Sequence, residues 1–220
     1  MLGKMNKIRK EYDGAFRNKE RTKLKLFNAV GEILKRDGYT GLRINKIVAL
    51  AKVDRKTLYQ YFGDVNNLIE TYIRNKDYYM AYHDQAEELA KKYTSKNANE
   101  LTQKLLLGQL DIFSMDEEMQ SILHWHISEI NPMLSGINEE REKIGDIFMD
   151  LCTPHFEGTP IHIRERIALL IGGIYFLVLY SKKTKGNFCQ IDLNTEQSME
   201  NVRISIAQMI NEAFVQVKKD

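Results

Sequence analysis

The chain has 220 residues, of which 43% are hydrophobic and 28% are charged, and its formal net charge is +2. These proportions are ordinary for a soluble globular protein, and no internal repeat or low-complexity segment interrupts them. No apolar stretch follows Met1, and the longest apolar run, Ile167 to Tyr180, is too short to cross a bilayer comfortably. We therefore expect a cytoplasmic protein without a secretory signal or a membrane span, in which Cys152 and Cys189 are reduced.

The small net charge conceals an asymmetry along the chain. Residues 1–62 contain 16 Lys and Arg but only 6 Asp and Glu, a net charge of +10, which leaves −8 for the remaining residues. A basic end on an acidic body is typical of a nucleic-acid-binding module joined to a separate scaffold. A solvated basic tail without a partner is the alternative interpretation of the charge taken alone.

The chain has only three prolines and long periodic apolar runs, and both features favour an all-helical chain. Residues Met1 to Lys19 are polar and basic. They are consistent with a frayed terminus, with a helical extension that leads into the first helix, or with an arm that touches phosphates. Arg21 to Asp37 is predicted as the first confident helix, and Gly38 is well placed to end it because glycine accepts a left-handed backbone.

Two short helices joined by a tight turn are predicted next. The first covers Ile44 to Ala51, and the turn is Lys52-Val53-Asp54. The Asp54 side chain can cap a second helix from Arg55, because its oxygen can accept from an otherwise unpaired amide in the first turn.

The second short helix runs from Arg55 to Phe62, with Leu58 and Phe62 on its inner face. The rest of its surface combines cationic, hydroxyl, amide and aromatic groups, which a recognition helix uses to read base edges and contact phosphates in a major groove. The candidate DNA-binding residues are Arg43, Lys52, Arg55, Lys56, Thr57, Tyr59, Gln60 and Tyr61.

This region resembles the TetR-like transcriptional regulators. The resemblance covers roughly residues 20 to 70 and is carried by Gly38-Tyr39-Thr40, Ile47, Ala51, Val53, the run Thr57-Leu58-Tyr59-Gln60-Tyr61-Phe62, and Leu68. It implies a three-helix DNA-binding head, a helical body that encloses a small-molecule pocket, and a homodimer formed by the last two helices. Two positions depart from the family pattern: Lys52 stands where glycine is usual, and Val65 stands where a phosphate-contacting lysine is common.

The remaining chain is predicted to form a series of amphipathic helices. Asp64 is the predicted cap of a fourth helix, which starts near Val65 or Asn66 and either runs on toward Tyr93 or breaks between Tyr79 and Asp84. Further helices are predicted at Ala98 to Phe113, Met115 to Glu129, Asn138 to Cys152, Ile161 to Lys183 and Thr195 to Lys218.

The resemblance and the apolar pattern together give candidates for two body surfaces. The dimer-interface candidates are Ile171, Gly172, Tyr175, Leu179, Ile206, Ile210 and Phe214, for which burial within one chain is the alternative. The effector-pocket candidates are Phe113, Met119, Trp125, Phe148 and Tyr175, since methionine and aromatic side chains suit a hydrophobic ligand. An ordinary core is the alternative for these residues.

Motifs for catalysis or metal binding are not evident in the sequence. His124 and His126 are two residues apart and therefore diverge on a helix. No phosphate-binding glycine loop, nucleophile elbow or paired-carboxylate motif occurs. We expect a protein that is not an enzyme and has no metal and no cofactor.

The sequence thus predicts an all-α protein with an N-terminal helix-turn-helix DNA-binding head (residues 1–64) and a larger helical effector-binding and dimerisation body (residues 65–220). The predicted function is a homodimeric transcriptional regulator, most simply a repressor that a small effector releases from a palindromic double-stranded DNA operator. A helical small-molecule carrier or a protein-interaction adaptor without operator binding is the alternative.

Overall fold

The computed structural model of the chain describes residues 2–76, 93, 95–184 and 186–217, with the backbone alone for residues 2–17 and 95. Within these ranges the chain is helical apart from its connections, and an isolated bridge between Phe188 and Ile191 is the one extended pairing. The all-α prediction is confirmed. None of the described helices is both long enough and apolar enough to cross a membrane.

Four helices form the N-terminal part: α1 (Leu2–Asp37), α2 (Ile44–Ala51), α3 (Arg55–Phe62) and α4 (Val65–Lys76). The bounds of α2 and α3 are those predicted from the sequence. The first helix begins at Leu2 rather than Arg21, so the basic N-terminal segment is its helical extension. The predicted break between Tyr79 and Asp84 lies outside the described residues.

Helix α1 ends where the sequence predicts. Gly38 follows Asp37 with a φ of 68°, a left-handed conformation that glycine adopts without steric cost, and its amide donates to the Leu34 carbonyl at 3.1 Å. A single 3-10 turn, Tyr39–Gly41, then leads to α2.

Among the residues that the structure describes, five further helices come after α4: α5 (Ala98–Met115), α6 (Glu117–Ser128), α7 (Pro132–Cys152), α8 (Ile163–Lys183) and α9 (Glu196–Val217). Four of them lie within a few residues of their predicted bounds. The predicted start of α7 at Asn138 is wrong by six residues. Proline is tolerated in the first turn of a helix, and the Asn131 side chain accepts from the Met133 amide at 3.0 Å, so the helix begins at Pro132.

The chain divides into two compact units. One contains Met1–Asn75 and Ser121–Ser135, and the other contains Lys76–Gln120 and Gly136–Asp220. Helix α6 therefore starts in the second unit and ends in the first. The predicted boundary at residues 64/65 separates a DNA-binding head from an effector-binding body by function, and it stays a prediction.

Each unit has its own apolar core. In the first unit α1 packs across α2, and the fully buried side chains come from α1 to α4: Leu26, Val30, Ile33, Leu34, Ile47, Leu58, Leu68 and Ile73. In the second unit α5 packs against both α8 and α9. The buried side chains of those three helices include Leu101, Leu110, Phe113, Ile174, Val178, Ile206 and Ile210.

We predict that Gly41→Ala destabilises the protein whereas Gly145→Ala does not. A Cβ at Gly41 would lie 2.5 Å from the Asp37 Cβ and 3.0 Å from the Ile33 Cγ2, whereas one at Gly145 meets nothing within 4 Å. The first change should lower the free energy of unfolding by about 1–3 kcal/mol. The second should raise it by up to about 1 kcal/mol, because alanine favours a helix over glycine. Urea denaturation of both variants measures the difference. Equal unfolding midpoints would show that the turn can accommodate a Cβ at position 41.

Candidate nucleic-acid interface

The turn between α2 and α3 is held by hydrogen bonds at both ends. Lys52 has a φ of 54°, and its amide donates to the Ala49 carbonyl at 3.3 Å. The Val53 amide donates to the Val48 carbonyl at 3.1 Å. Lys52 therefore adopts the left-handed conformation that glycine would adopt at lower cost. The substitution places a cationic side chain at the apex of the turn.

Asp54 caps α3 as predicted. Its Oδ1 accepts from the Thr57 amide at 2.8 Å, and its Oδ2 accepts from the Thr57 hydroxyl at 2.9 Å. These bonds stabilise the carboxylate, so the pKa of Asp54 lies below its usual range. The predicted DNA-binding residue Thr57 thus has its hydroxyl engaged within the cap, and its side chain is half-buried.

The outward face of α3 carries four of the predicted DNA-binding residues. Arg55, Lys56, Tyr59 and Gln60 are all exposed, while Leu58 is fully buried. Positions i, i+1, i+4 and i+5 share one side of a helix, so these four side chains form a single surface. The remaining predicted cations, Arg43 and Lys52, are also exposed, just before α2 and in the turn after it.

Three polar residues that the sequence did not single out support this surface. The Arg55 Nη2 donates to the Asn45 Oδ1, which joins the start of α3 to α2. The Lys19 ammonium lies 5.6 Å from the centre of the Tyr61 ring, a cation–π distance that joins α1 to α3. Lys46 donates to the Asp37 Oδ2 at 3.3 Å. Polar residues at outward positions of α2 were the available signal for Asn45 and Lys46, and nothing local pointed to Lys19.

The end of α1 is tied to α2 by charge. The Arg36 guanidinium donates to both oxygens of Asp37, at 3.0 and 2.9 Å. These bonds, with the one from Lys46, lower the pKa of Asp37 to about 2. The carboxylate therefore remains ionised and fixes the entry to the 3-10 turn ahead of α2.

Two of the effector-pocket candidates are in contact with each other. Phe113 and Tyr175 are brought together, with ring centroids 5.0 Å apart, and the Tyr175 hydroxyl accepts from the Gln109 amide at 2.5 Å. Phe148 belongs to a cluster with Tyr93, Leu101 and Ile144. Met119 is buried in the second unit, whereas Trp125 belongs to the first.

Trp125 stacks on Tyr39. The two ring centroids are 5.3 Å apart and the planes are parallel to within 1°. The indole Nε1 also donates to the Glu129 Oε1 at 2.5 Å. A side chain predicted for a ligand pocket is therefore packed against the connection between α1 and α2.

The dimer-interface candidates divide into exposed and buried residues. On α9, Ile206, Ile210 and Phe214 are buried within the chain, and Phe214 packs edge-on against Phe156 at 4.9 Å. On α8, Gly172 is exposed, and Ile171, Tyr175 and Leu179 are half-buried. The exposed apolar side chains of the two helices are others: Leu169 and Phe176 on α8, and Ile204, Met209 and Val215 on α9.

An all-helical chain whose basic N-terminal part presents a capped helix-turn-helix with an exposed cationic surface has the architecture of a DNA-binding transcriptional regulator. Comparison with protein-family models and with curated protein sequences finds no match.

Solved structures share the fold. The transcriptional regulator FadR from Bacillus subtilis, in complex with stearoyl-CoA, has 16% sequence identity and a TM-score of 0.62, over 85% of this chain and 96% of that one. A protein from Clostridium perfringens described as a candidate fatty acid metabolism regulator has 14% identity and a TM-score of 0.62, over 84% and 97% of the two chains. The chain therefore shares its helical fold with these two proteins, as the all-α prediction requires.

Proposed function

We propose that this protein is a TetR-like transcriptional regulator that binds a palindromic operator as a homodimer and is released from it by a small effector. The observation that carries the proposal is the exposed surface of α3, a helix whose first turn is capped by Asp54. This surface is formed by Arg55, Lys56, Tyr59 and Gln60. The motif run from Thr57 to Phe62 supports the TetR-like assignment.

The surface has the chemical groups for both kinds of DNA contact. Amide and guanidinium groups can hydrogen-bond base edges, and Lys56 and Lys52 supply cations for phosphates. Lys52 adds a cation at the turn, whereas Val65 stands where TetR-like regulators commonly have a phosphate-contacting lysine. In this proposal Tyr59, Gln60 and Arg55 contact the DNA bases, and Lys52 and Lys56 position the helix by contacting phosphates.

We predict that Lys56→Ala combined with Tyr59→Ala weakens operator binding by about a hundredfold, because one phosphate contact and one groove contact are lost. The operator is first obtained by selecting bound fragments from random DNA with the purified protein. Fluorescence anisotropy at several salt concentrations then measures the affinity. The slope of log K against log salt should fall by about one for the lysine removed.

Lys96→Ala is the matched control, since Lys96 is an exposed lysine in the second unit. It should leave the affinity and the salt slope unchanged. A double variant that binds the selected DNA as tightly as the parent would refute the site. Failure of the parent to select any DNA would refute operator binding itself.

The dimer part of the proposal rests on the outward faces of the last two helices. Leu169 is 77% exposed on α8. Gly172 lies about one turn further along the helix, and Phe176, which is 49% exposed, lies one turn beyond Gly172. A Cβ at Gly172 would meet nothing within 4 Å inside the chain, so the space beside it is open to a second helix. Two copies joined here would carry two reading helices, which suit half-sites about 34 Å apart.

We predict that Leu169→Glu raises the dimer dissociation constant by about 30-fold or more, because it would bury a charge at the centre of an apolar contact. Sedimentation velocity over a range of concentrations measures the change. Ile127→Glu is the control, since Ile127 is 69% exposed on α6 and lies outside this face. Equal dissociation constants for the two variants would place the interface elsewhere.

The effector class is inferred from the structural neighbours. One of them is bound to stearoyl-CoA and the other is described as a candidate fatty acid metabolism regulator, so we propose a long-chain acyl-CoA as the effector of this chain. In the body, α5 buries a row of apolar side chains, among which Gln109 is a buried polar residue bonded to Tyr175. An apolar interior with a few polar groups suits a ligand that has a long hydrocarbon chain.

We predict that stearoyl-CoA lowers operator affinity whereas free coenzyme A, which lacks the acyl chain, does not. A ligand shifts the equilibrium only by its difference in affinity for the two states, so tenfold release requires tenfold tighter binding to the free form. Anisotropy of labelled operator during titration with each compound measures the effect. Release by both compounds, or by neither, would contradict the acyl-chain assignment.

A further inference from the structure

We propose that Trp125 is a positioning residue for operator recognition, which acts through its stack on Tyr39 to fix the helix-turn-helix relative to α6. The inference rests on the proposed DNA-binding function and adds a residue and a route of regulation to it. Neither Trp125 nor Tyr39 is among the candidate DNA-contact residues.

The stack is a well-defined contact. Trp125 is only 7% exposed, and its ring lies parallel to that of Tyr39 with centroids 5.3 Å apart. The hydrogen bond from Nε1 to Glu129, one turn along α6, fixes the rotation of the indole. Aromatic pairs at such distances contribute beyond the area that they bury.

The turn that carries Tyr39 is stiff, so that a shift of its ring is passed along the backbone. The Gly41 amide donates to the Gly38 carbonyl at 3.1 Å, and the Leu42 amide donates to the Tyr39 carbonyl at 3.0 Å. Gly41 is buried, with space for no side chain at all, because a Cβ there would overlap Asp37. The connection from α1 to α2 therefore has little freedom to absorb a movement of Tyr39.

Contacts continue from the turn to the reading helix. The Arg43 carbonyl accepts from the Ile47 amide at 3.1 Å, which starts α2 directly after the turn. Asn45, in the first turn of α2, accepts from Arg55 in the first turn of α3. The route from Trp125 to the exposed face of α3 thus runs through Tyr39, Arg43 and Asn45.

Helix α6 is also anchored at its start. The Asp116 Oδ1 accepts from the amides of Glu118 and Met119, both at 3.0 Å. The Lys76 ammonium, at the end of α4, lies 2.8 Å from the Glu118 Oε2. Any displacement of α6 along its axis would move Trp125 against Tyr39.

A double-mutant cycle tests the coupling, because a contiguous chain of contacts is not by itself evidence that energy is transmitted along it. Tyr39→Leu and Trp125→Leu should each weaken binding to the selected operator by about tenfold, the upper end of an aromatic-pair contribution. The double variant should also lose about tenfold, since the second change removes nothing further. Trp125→Phe, which keeps an aromatic ring, should recover part of the affinity.

A matched control variant and tryptophan fluorescence distinguish a positioning role of Trp125 from a purely structural one. Phe156→Leu removes an equally buried ring in the second unit, so it should lower the thermal midpoint like Trp125→Leu yet leave operator affinity within about twofold. Trp125 is the only tryptophan of the chain, so its emission reports on the stack alone. Saturating operator should change this emission in the parent and not in Tyr39→Leu.

The outcomes are distinguishable. Losses that multiply in the double variant, an equal loss of affinity in Phe156→Leu, or the same emission response in parent and Tyr39→Leu would each overturn the positioning role while operator binding stands. A parent chain that selects no DNA would refute the proposed function and this inference together.

Discussion

Leu58 is the one fully buried side chain of α3, and the placement of the reading surface depends on it. A helix of eight residues cannot hold its own conformation in water, so it needs support from neighbours. Asp54 satisfies its first amides, Asn45 holds Arg55, and Phe62 packs on Phe27 with ring centroids 5.7 Å apart. With one side of α3 fixed in this way, the opposite side is exposed.

Support from a neighbouring element also explains how α6 contributes to the first unit. The N-terminal unit is small, and small cores are marginal unless other elements contribute. Residues 121–135 complete it by adding Ile122, Leu123, Trp125 and Leu134 to the buried set. The end of α6 therefore stabilises the first unit.

Local chemistry made the reading element predictable from sequence. Gly38, Asp54 and Asp64 each act within three or four residues of their own position, which is why the ends of α1 to α3 and the start of α4 were placed correctly. The start of α7 was predicted six residues too late, although proline is well suited to a first helical turn. Amphipathic periodicity likewise indicated which side of α9 is apolar, but not whether that side faces its own chain or a second one.

The sequence by itself determined the helical class, the capped helix-turn-helix and the cationic face of α3, because each depends on residues close together in the chain. The tertiary structure decided what no local pattern encodes. It packed Trp125 on Tyr39, 86 positions earlier in the chain, and it buried Ile206, Ile210 and Phe214 within the chain while leaving Leu169 and Phe176 exposed. Such pairings depend on which helices meet, and apolar side chains meet equivalent partners in many arrangements that only the complete packing distinguishes.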